Sequence, residues 1–141
     1  MGKKFKPHRG NTRQQTEPSQ QEVNLVIEAF RYNRHIEMEA LGRKMTLNFP
    51  HSTVGWKAVG TALFQQGRYI EALQPLQKAA GLSPKDPQLL NILGNSLKSL
   101  RRYTEAEKHY RNAIKLSPNL AEGHYNLGSV LYEQKQYIEA E

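Results

Sequence analysis

The chain has 141 residues, of which 38% are hydrophobic and 23% charged, and it has no cysteine. That length suits one domain of ordinary size, and the missing cysteines exclude disulfides and thiolate metal sites. The formal net charge is +7, and much of it sits at the start, where Lys3, Lys4, Lys6, Arg9 and Arg13 face only Glu17.

Residues 1–19 read as a basic, solvated and disordered tail. As a basic arm, the tail is also the one feature directed at anionic partners such as nucleic acid or a membrane surface. No apolar stretch follows its lysines, so it is not a secretory signal. No apolar run in the chain approaches membrane-spanning length, so membrane insertion is not expected. Gly2 invites comparison with a myristoylation signal, but Lys6 stands where that motif wants Ser or Thr. The expected compartment is the cytoplasm.

From residue 20 onward, apolar residues recur at helical spacing. Residues 20–52 place Leu25, Ala29, Met38 and Met45 at the apolar positions of a helical hairpin. The next stretch predicts a helix from Thr53 to Gln66, a turn at Gly67-Arg68, and a second helix from Tyr69 that stops near Ser83-Pro84. Pro75 lies inside that second helix and is expected to bend it locally. Asp86 reads as an N-cap with Pro87 in the tolerated first helical position. A helix from Pro87 to Leu100, a turn at Arg101-Arg102 and a helix from Tyr103 to the Ser117-Pro118 pair repeat the plan. The first helix of a third unit runs from Ala121 to Gln134, and a turn at Lys135-Gln136 leads into a further helix at Tyr137.

These elements recur at a fixed step. Gly60, Gly94 and Gly128 stand 34 residues apart. Leu63, Leu97 and Leu131 keep the same step, as do Tyr69, Tyr103 and Tyr137, and Ala72, Ala106 and Ala140. Glycine in mid-helix costs about 1 kcal/mol relative to alanine, so its recurrence implies that another helix crosses closely there. Ala72 and Ala106 are expected to face Gly60 and Gly94 from the paired helix.

The pattern resembles the tetratricopeptide repeat, whose unit reads W-x-x-L-G-x-x-Y, then alanine, a large residue, alanine and proline. Trp56, Gly60, Ala72, Ala79 and Pro84 match it in one unit. Leu93, Gly94, Ala106, Tyr110, Ala113 and Pro118 match in the next, and Leu127, Gly128 and Ala140 in the third. The resemblance implies an all-α fold, a right-handed superhelical solenoid of antiparallel helix pairs, with repeats at 53–86 and 87–120 and a truncated one at 121–141. Residues 20–52 fit the same register more weakly, with Val26 at the glycine position and Met38 at the alanine position. They read either as a degenerate first repeat or as an unrelated helical hairpin. A natural array ends in a complete, polar-faced cap, so the unfinished third repeat suggests a piece of a longer protein or a face through which copies self-associate.

Catalytic constellations are absent, so no enzyme activity is expected within this chain, and no cofactor or metal. The glycines lie in helices rather than in phosphate-cradling loops. The histidines His8, His35, His51, His109 and His124 lack metal-ligand spacing. What the resemblance implies instead is a concave groove, lined by the first helices, that takes a peptide or helix of a partner protein. Carried across position by position, the groove would show Lys57, Ala58, Thr61 and Gln65, then Asn91, Ile92, Asn95 and Lys98, then Glu122, Tyr125, Asn126, Ser129 and Glu133. Asparagine offers both donor and acceptor and can hold a peptide backbone without demanding a sequence. In one sub-type of the family a basic clamp grips the acidic C-terminus of heat-shock chaperones. Lys57 fits that clamp, but Thr61, Ile92, Glu122 and Asn126 depart from it. Asn126 also matches the asparagine that precedes Leu-Gly in arrays attached to O-linked N-acetylglucosamine transferases, whereas Ala58 and Ile92 do not. That likeness suggests a second reading, the recognition arm of a larger transferase.

Overall fold

The computed structural model describes Gly2 and residues 15–140. The cationic part of the tail, residues 3–14, therefore lies outside the described residues. Seven helices succeed one another: α1 (Gln20–Arg31), α2 (His35–Asn48), α3 (Thr53–Gln65), α4 (Tyr69–Leu82), α5 (Pro87–Ser99), α6 (Tyr103–Leu116) and α7 (Ala121–Ala140). Each packs on the next, and α1, α3, α5 and α7 also touch in series. The described residues thus form an all-α solenoid of antiparallel helix pairs. None of these helices is long and apolar enough to cross a membrane.

The ends of the helices follow from local chemistry. The Ser19 hydroxyl accepts from the Glu22 amide at 3.2 Å, and the Ser19 amide donates to the Glu22 carboxylate at 2.8 Å, a reciprocal cap that starts α1. The Ser52 hydroxyl donates to the Glu17 carboxylate. Glu17 and Ser19, assigned to the tail on sequence, thus belong to the fold, because their side chains satisfy groups of α1 and of the loop before α3. Asp86 caps α5 as expected, accepting from the Leu89 amide at 3.2 Å.

Three turns share one backbone device. Asn33, Gly67 and Arg101 are left-handed, with φ of 55°, 73° and 60°. Beyond each, the amides of Arg34, Arg68 and Arg102 reach back to the carbonyls of Ala29, Leu63 and Leu97 at 2.8, 2.9 and 2.9 Å. The same arginines pair with Glu37, Glu71 and Glu105 in the first turn of the following helix, at 3.6, 2.6 and 2.7 Å. The fourth turn expected by the repeat, at Lys135-Gln136, does not form, and α7 runs unbroken from Ala121 to Ala140. A left-handed conformation costs a non-glycine residue roughly 1–2 kcal/mol. At Arg101 the burial of the 14-residue α6 offsets that cost. After Lys135 the described residues supply only about one turn of helix, too little to bury a face, so the helix continues.

Two cores result. Val26, Ala29, Met38, Met45, Ala58 and Ala62 form one, and Val59, Leu63, Leu76, Leu89, Leu93, Leu97, Tyr110 and Val130 are among the members of the other. Leu25, expected in the interior, is 47% exposed. Its equivalent Val59 is covered by α2, since a Cβ on Gly42 would meet it at 2.8 Å, and no described element precedes α1 to cover Leu25 likewise. α4 passes through Pro75 as one helix. Trp56 and His124, one repeat position apart twice over, each bond through a ring nitrogen to a proline carbonyl of the preceding loop, Pro50 at 2.9 Å and Pro118 at 2.7 Å.

The mid-helix glycines do mark close crossings, but their partners are not the alanines. A Cβ on Gly60 would lie 2.5 Å from the Leu76 side chain, and one on Gly94 would lie 2.6 Å from the Tyr110 ring. Ala72 and Ala106 are fully buried beside these contacts. The large residue fills the space that each glycine opens, which is why one position in the repeat is small and its partner large. Gly94→Ala is therefore expected to destabilise the chain by about 1–3 kcal/mol through overpacking. Gly81→Ala, where a Cβ meets nothing within 4 Å, should stabilise it by up to about 1 kcal/mol. Urea unfolding of both variants followed by circular dichroism checks the pair.

Candidate functional site

The concave side of the solenoid carries a groove of about 410 Å³. α1 contributes Val23, Val26, Ile27 and Phe30 to its wall, α3 contributes Val54, Lys57, Ala58 and Thr61, and α5 contributes Gln88 and Ile92, with Met38 of α2 also lining it. Ile27 and Phe30 are 46% and 50% exposed. The lining is thus mainly apolar, with one cation at its edge.

Of the residues carried over from the family, Lys57, Ala58, Thr61 and Ile92 line this groove. Lys57 is not a free cation. Its ammonium donates to Asp86 at 2.7 Å, tying the groove wall to the cap of α5. Burial raises the Asp86 carboxyl, but the Lys57 ammonium and the Leu89 and Gln88 amides outweigh it and hold the group below its ordinary value.

The remaining candidates lie outside this lining. Asn95 is half-buried, and its oxygen accepts from the Tyr110 hydroxyl at 2.5 Å. Burial, assisted by the charge of Glu122, pushes the Tyr110 phenol well above its usual range, so it stays a neutral donor. The Tyr110 hydroxyl thus occupies the Asn95 oxygen and not its amide nitrogen. Lys98 donates to Ser129 at 3.2 Å. Asn126 is buried, with its amide nitrogen unpartnered, and Gln65 has an unpartnered buried oxygen. Glu122, Tyr125 and Glu133 are exposed. Asn91 is corrected: only 1% of it is exposed and neither of its polar atoms has a partner, so it is shielded rather than displayed. A Cβ on Gly123 of α7 would lie 4.0 Å from its oxygen, which shows how close the next helix comes.

The carry-over missed Val23, Val26, Ile27, Phe30, Met38, Val54 and Gln88. A signal for most of them was present in the repeat step: Val23 and Ile27 stand one repeat upstream of Lys57 and Thr61, Gln88 and Val54 one and two repeats upstream of Glu122, and Phe30 two upstream of Lys98. Applying the positional rule to residues 20–52 turns the expected polar groove into an apolar one at that end.

Two family models match the chain, "TPR repeat" over residues 94–135 and "Tetratricopeptide repeat" over residues 55–84. The chain is a member of the tetratricopeptide-repeat family. Solved structures share its fold at low identity. The first tetratricopeptide domain of Spaghetti (RPAP3) bound to the HSP90 peptide SRMEEVD has a TM-score of 0.77 at 20% identity, with 85% of this chain and 98% of that one covered. The Sgt2 domain from Aspergillus fumigatus gives 0.80 at 16% identity, covering 90% and 88%. The Yersinia enterocolitica type III secretion chaperone SycD in complex with a peptide of the translocator YopD gives 0.72 at 15% identity, covering 81% and 92%. No curated protein matches the chain.

Two outcomes follow from the polar contacts. A depressed carboxylate stabilises the fold above its unfolded pKa, and that contribution disappears as the pH falls through the lower folded value. Asp86→Asn keeps a capping side chain but loses the ion pair with Lys57. It should be less stable than the wild type by about 0.2–1 kcal/mol at neutral pH. The difference should close below the ordinary aspartate value of 3.8, as read from urea unfolding across that range. Asn95→Ala leaves the Tyr110 hydroxyl buried without an acceptor and should cost about 1–3 kcal/mol. Adding Tyr110→Phe to it should recover part of the loss in the same assay.

Proposed function

We propose that the chain is a protein-interaction module that takes a peptide or helix of a partner in its concave groove. The observation that carries this reading is the apolar groove itself, where Ile27 and Phe30 stand half-exposed over a cavity large enough for side chains of a bound segment. Apolar side chains of the ligand would bury against Val23, Ile27, Phe30 and Ile92. Further along, the Asn95 amide nitrogen would meet a carbonyl of the ligand backbone, with Lys98 and Ser129 beside it. Residues 20–52 act in this scheme as a degenerate first repeat, since they supply the α1 wall. The structural neighbours carrying a peptide of HSP90 or of YopD support the mode of binding. The lining here suits a less acidic ligand than SRMEEVD, because Lys57 is already paired with Asp86.

The test is an array of random 12-residue peptides probed with the wild-type chain and with Ile27→Glu. The peptides retained should be enriched in large apolar side chains. Ile27→Glu should weaken their binding by about tenfold or more, the loss expected when one such contact is removed, with helicity unchanged. Retention of peptides without apolar residues, or indifference to Ile27→Glu, would place binding elsewhere.

A further inference from the structure

Two walls of the concave groove repeat at helical spacing along their own axes. On α1 the row is Val23, Ile27 and Phe30, and on α3 it is Val54, Ala58 and Thr61. Both rows step by four and then three residues, which keeps each on one side of its helix. Each row spans two turns, or roughly 10 Å. The groove therefore runs along these two helices.

These walls offer a ligand very little to hydrogen-bond. Of the lining side chains, Lys57, Thr61 and Gln88 carry nitrogen or oxygen. The Lys57 ammonium is given to Asp86, Thr61 is only 6% exposed, and Gln88 alone of the three is exposed. The backbone groups of α1 and α3 are bonded within their own helices. An extended segment pressed into the groove would set its amides and carbonyls against apolar side chains, and a buried peptide group without a partner is costly. A helix bonds those groups internally and presents side chains alone. The groove volume of about 410 Å³ then takes the side chains, while the backbone of the ligand stays at the rim.

We propose that the ligand of this groove is an amphipathic helix of a partner protein. It lies along α1 and α3 and turns large, uncharged apolar residues at i, i+4 and i+7 into the groove. This rests on the reading of the groove as a peptide site, and it chooses between the two backbone forms which that reading allows. The chain's own residues 1–14 do not supply such a helix: Met1 and Phe5 are their only large apolar side chains, and Pro7 follows. The Asn95 amide nitrogen keeps a use in this arrangement, because a helix leaves carbonyls free in its last turn.

The probes are labelled peptides of about 15 residues, a length at which an isolated helix is marginal. One set places Leu, Ile, Met or Phe at steps of four and three in an alanine–glutamine host. A second set has the same composition with the apolar residues alternating, as an extended strand presents them. Both are titrated into the full chain and followed by anisotropy and circular dichroism. Members of the first set should bind saturably with a gain of helicity, at least about tenfold more tightly than their alternating counterparts. A side-chain crosslink that preforms the helix should tighten binding further. A proline at the centre of the polar side should weaken it by about tenfold or more. Ile27→Glu and Phe30→Lys, both at half-exposed positions, should each weaken binding by a similar factor while the helicity of the chain stays unchanged. The proposal is overturned if no member of the first set binds, or if the alternating or proline peptides bind as tightly. It is also overturned if sedimentation shows a dimer that Ile27→Glu dissociates. Equal binding of helical and alternating peptides that is still lost in Ile27→Glu removes the helix and leaves the groove reading standing. Binding indifferent to both substitutions removes the groove reading as well.

Discussion

The contact between a mid-helix glycine and a large side chain on the next helix sets the spacing of the whole array. At Gly60 and Gly94 the backbone of one helix comes within van der Waals reach of Leu76 and Tyr110. This brings the two helices of a pair close enough to bury alanines completely, at positions 72, 79 and 106. Small residues on one side and a large one on the other fix the depth of the crossing. The tight turn then fixes its direction, through a left-handed residue and an arginine-glutamate pair at the start of the second helix. With both set, the first helices line up along one side, and the groove is the surface that they leave uncovered.

That groove is not uniform along its length. Its α1 end is walled by aliphatic and aromatic side chains, because residues 20–52 place Val23 and Ile27 where the next repeat has Lys57 and Thr61. Its α5–α7 end carries amides and hydroxyls. Tyr110 takes part in both the packing and the surface: the ring fills the space above Gly94, while the hydroxyl holds the Asn95 oxygen and so determines which atom of Asn95 a ligand would meet. A core residue thereby sets the polarity of the groove wall.

The helices and their pairing were legible because each unit repeats the same signals: glycine in the first helix, alanines in the second, and Ser-Pro at its end. Three things were not. The helix-period pattern shows which residues face inward but not which inward residue meets which, so Ala72 and Ala106 were paired with the glycines in place of Leu76 and Tyr110. Repeat equivalence assumes neighbours on both sides, so it put Leu25 in the interior and a turn at Lys135, where the covering or following element is not among the described residues. Positional transfer from the family also treats each groove position as displayed. Asn91 is shielded where α7 of the next repeat approaches it, and Lys57 and Asn95 are bonded to Asp86 and Tyr110, contacts that a list of groove positions does not contain.

The ion pair between Lys57 and Asp86 joins two parts of the molecule that have different tasks. One end lies on the groove wall, and the other terminates the loop between α4 and α5 and holds the first turn of α5. A carboxylate entering the groove therefore competes with Asp86 for the same ammonium, and success would loosen the start of α5. If a ligand does occupy the groove as proposed, its charge would bear on the joint between those two helix pairs, and an uncharged one would leave the pair intact.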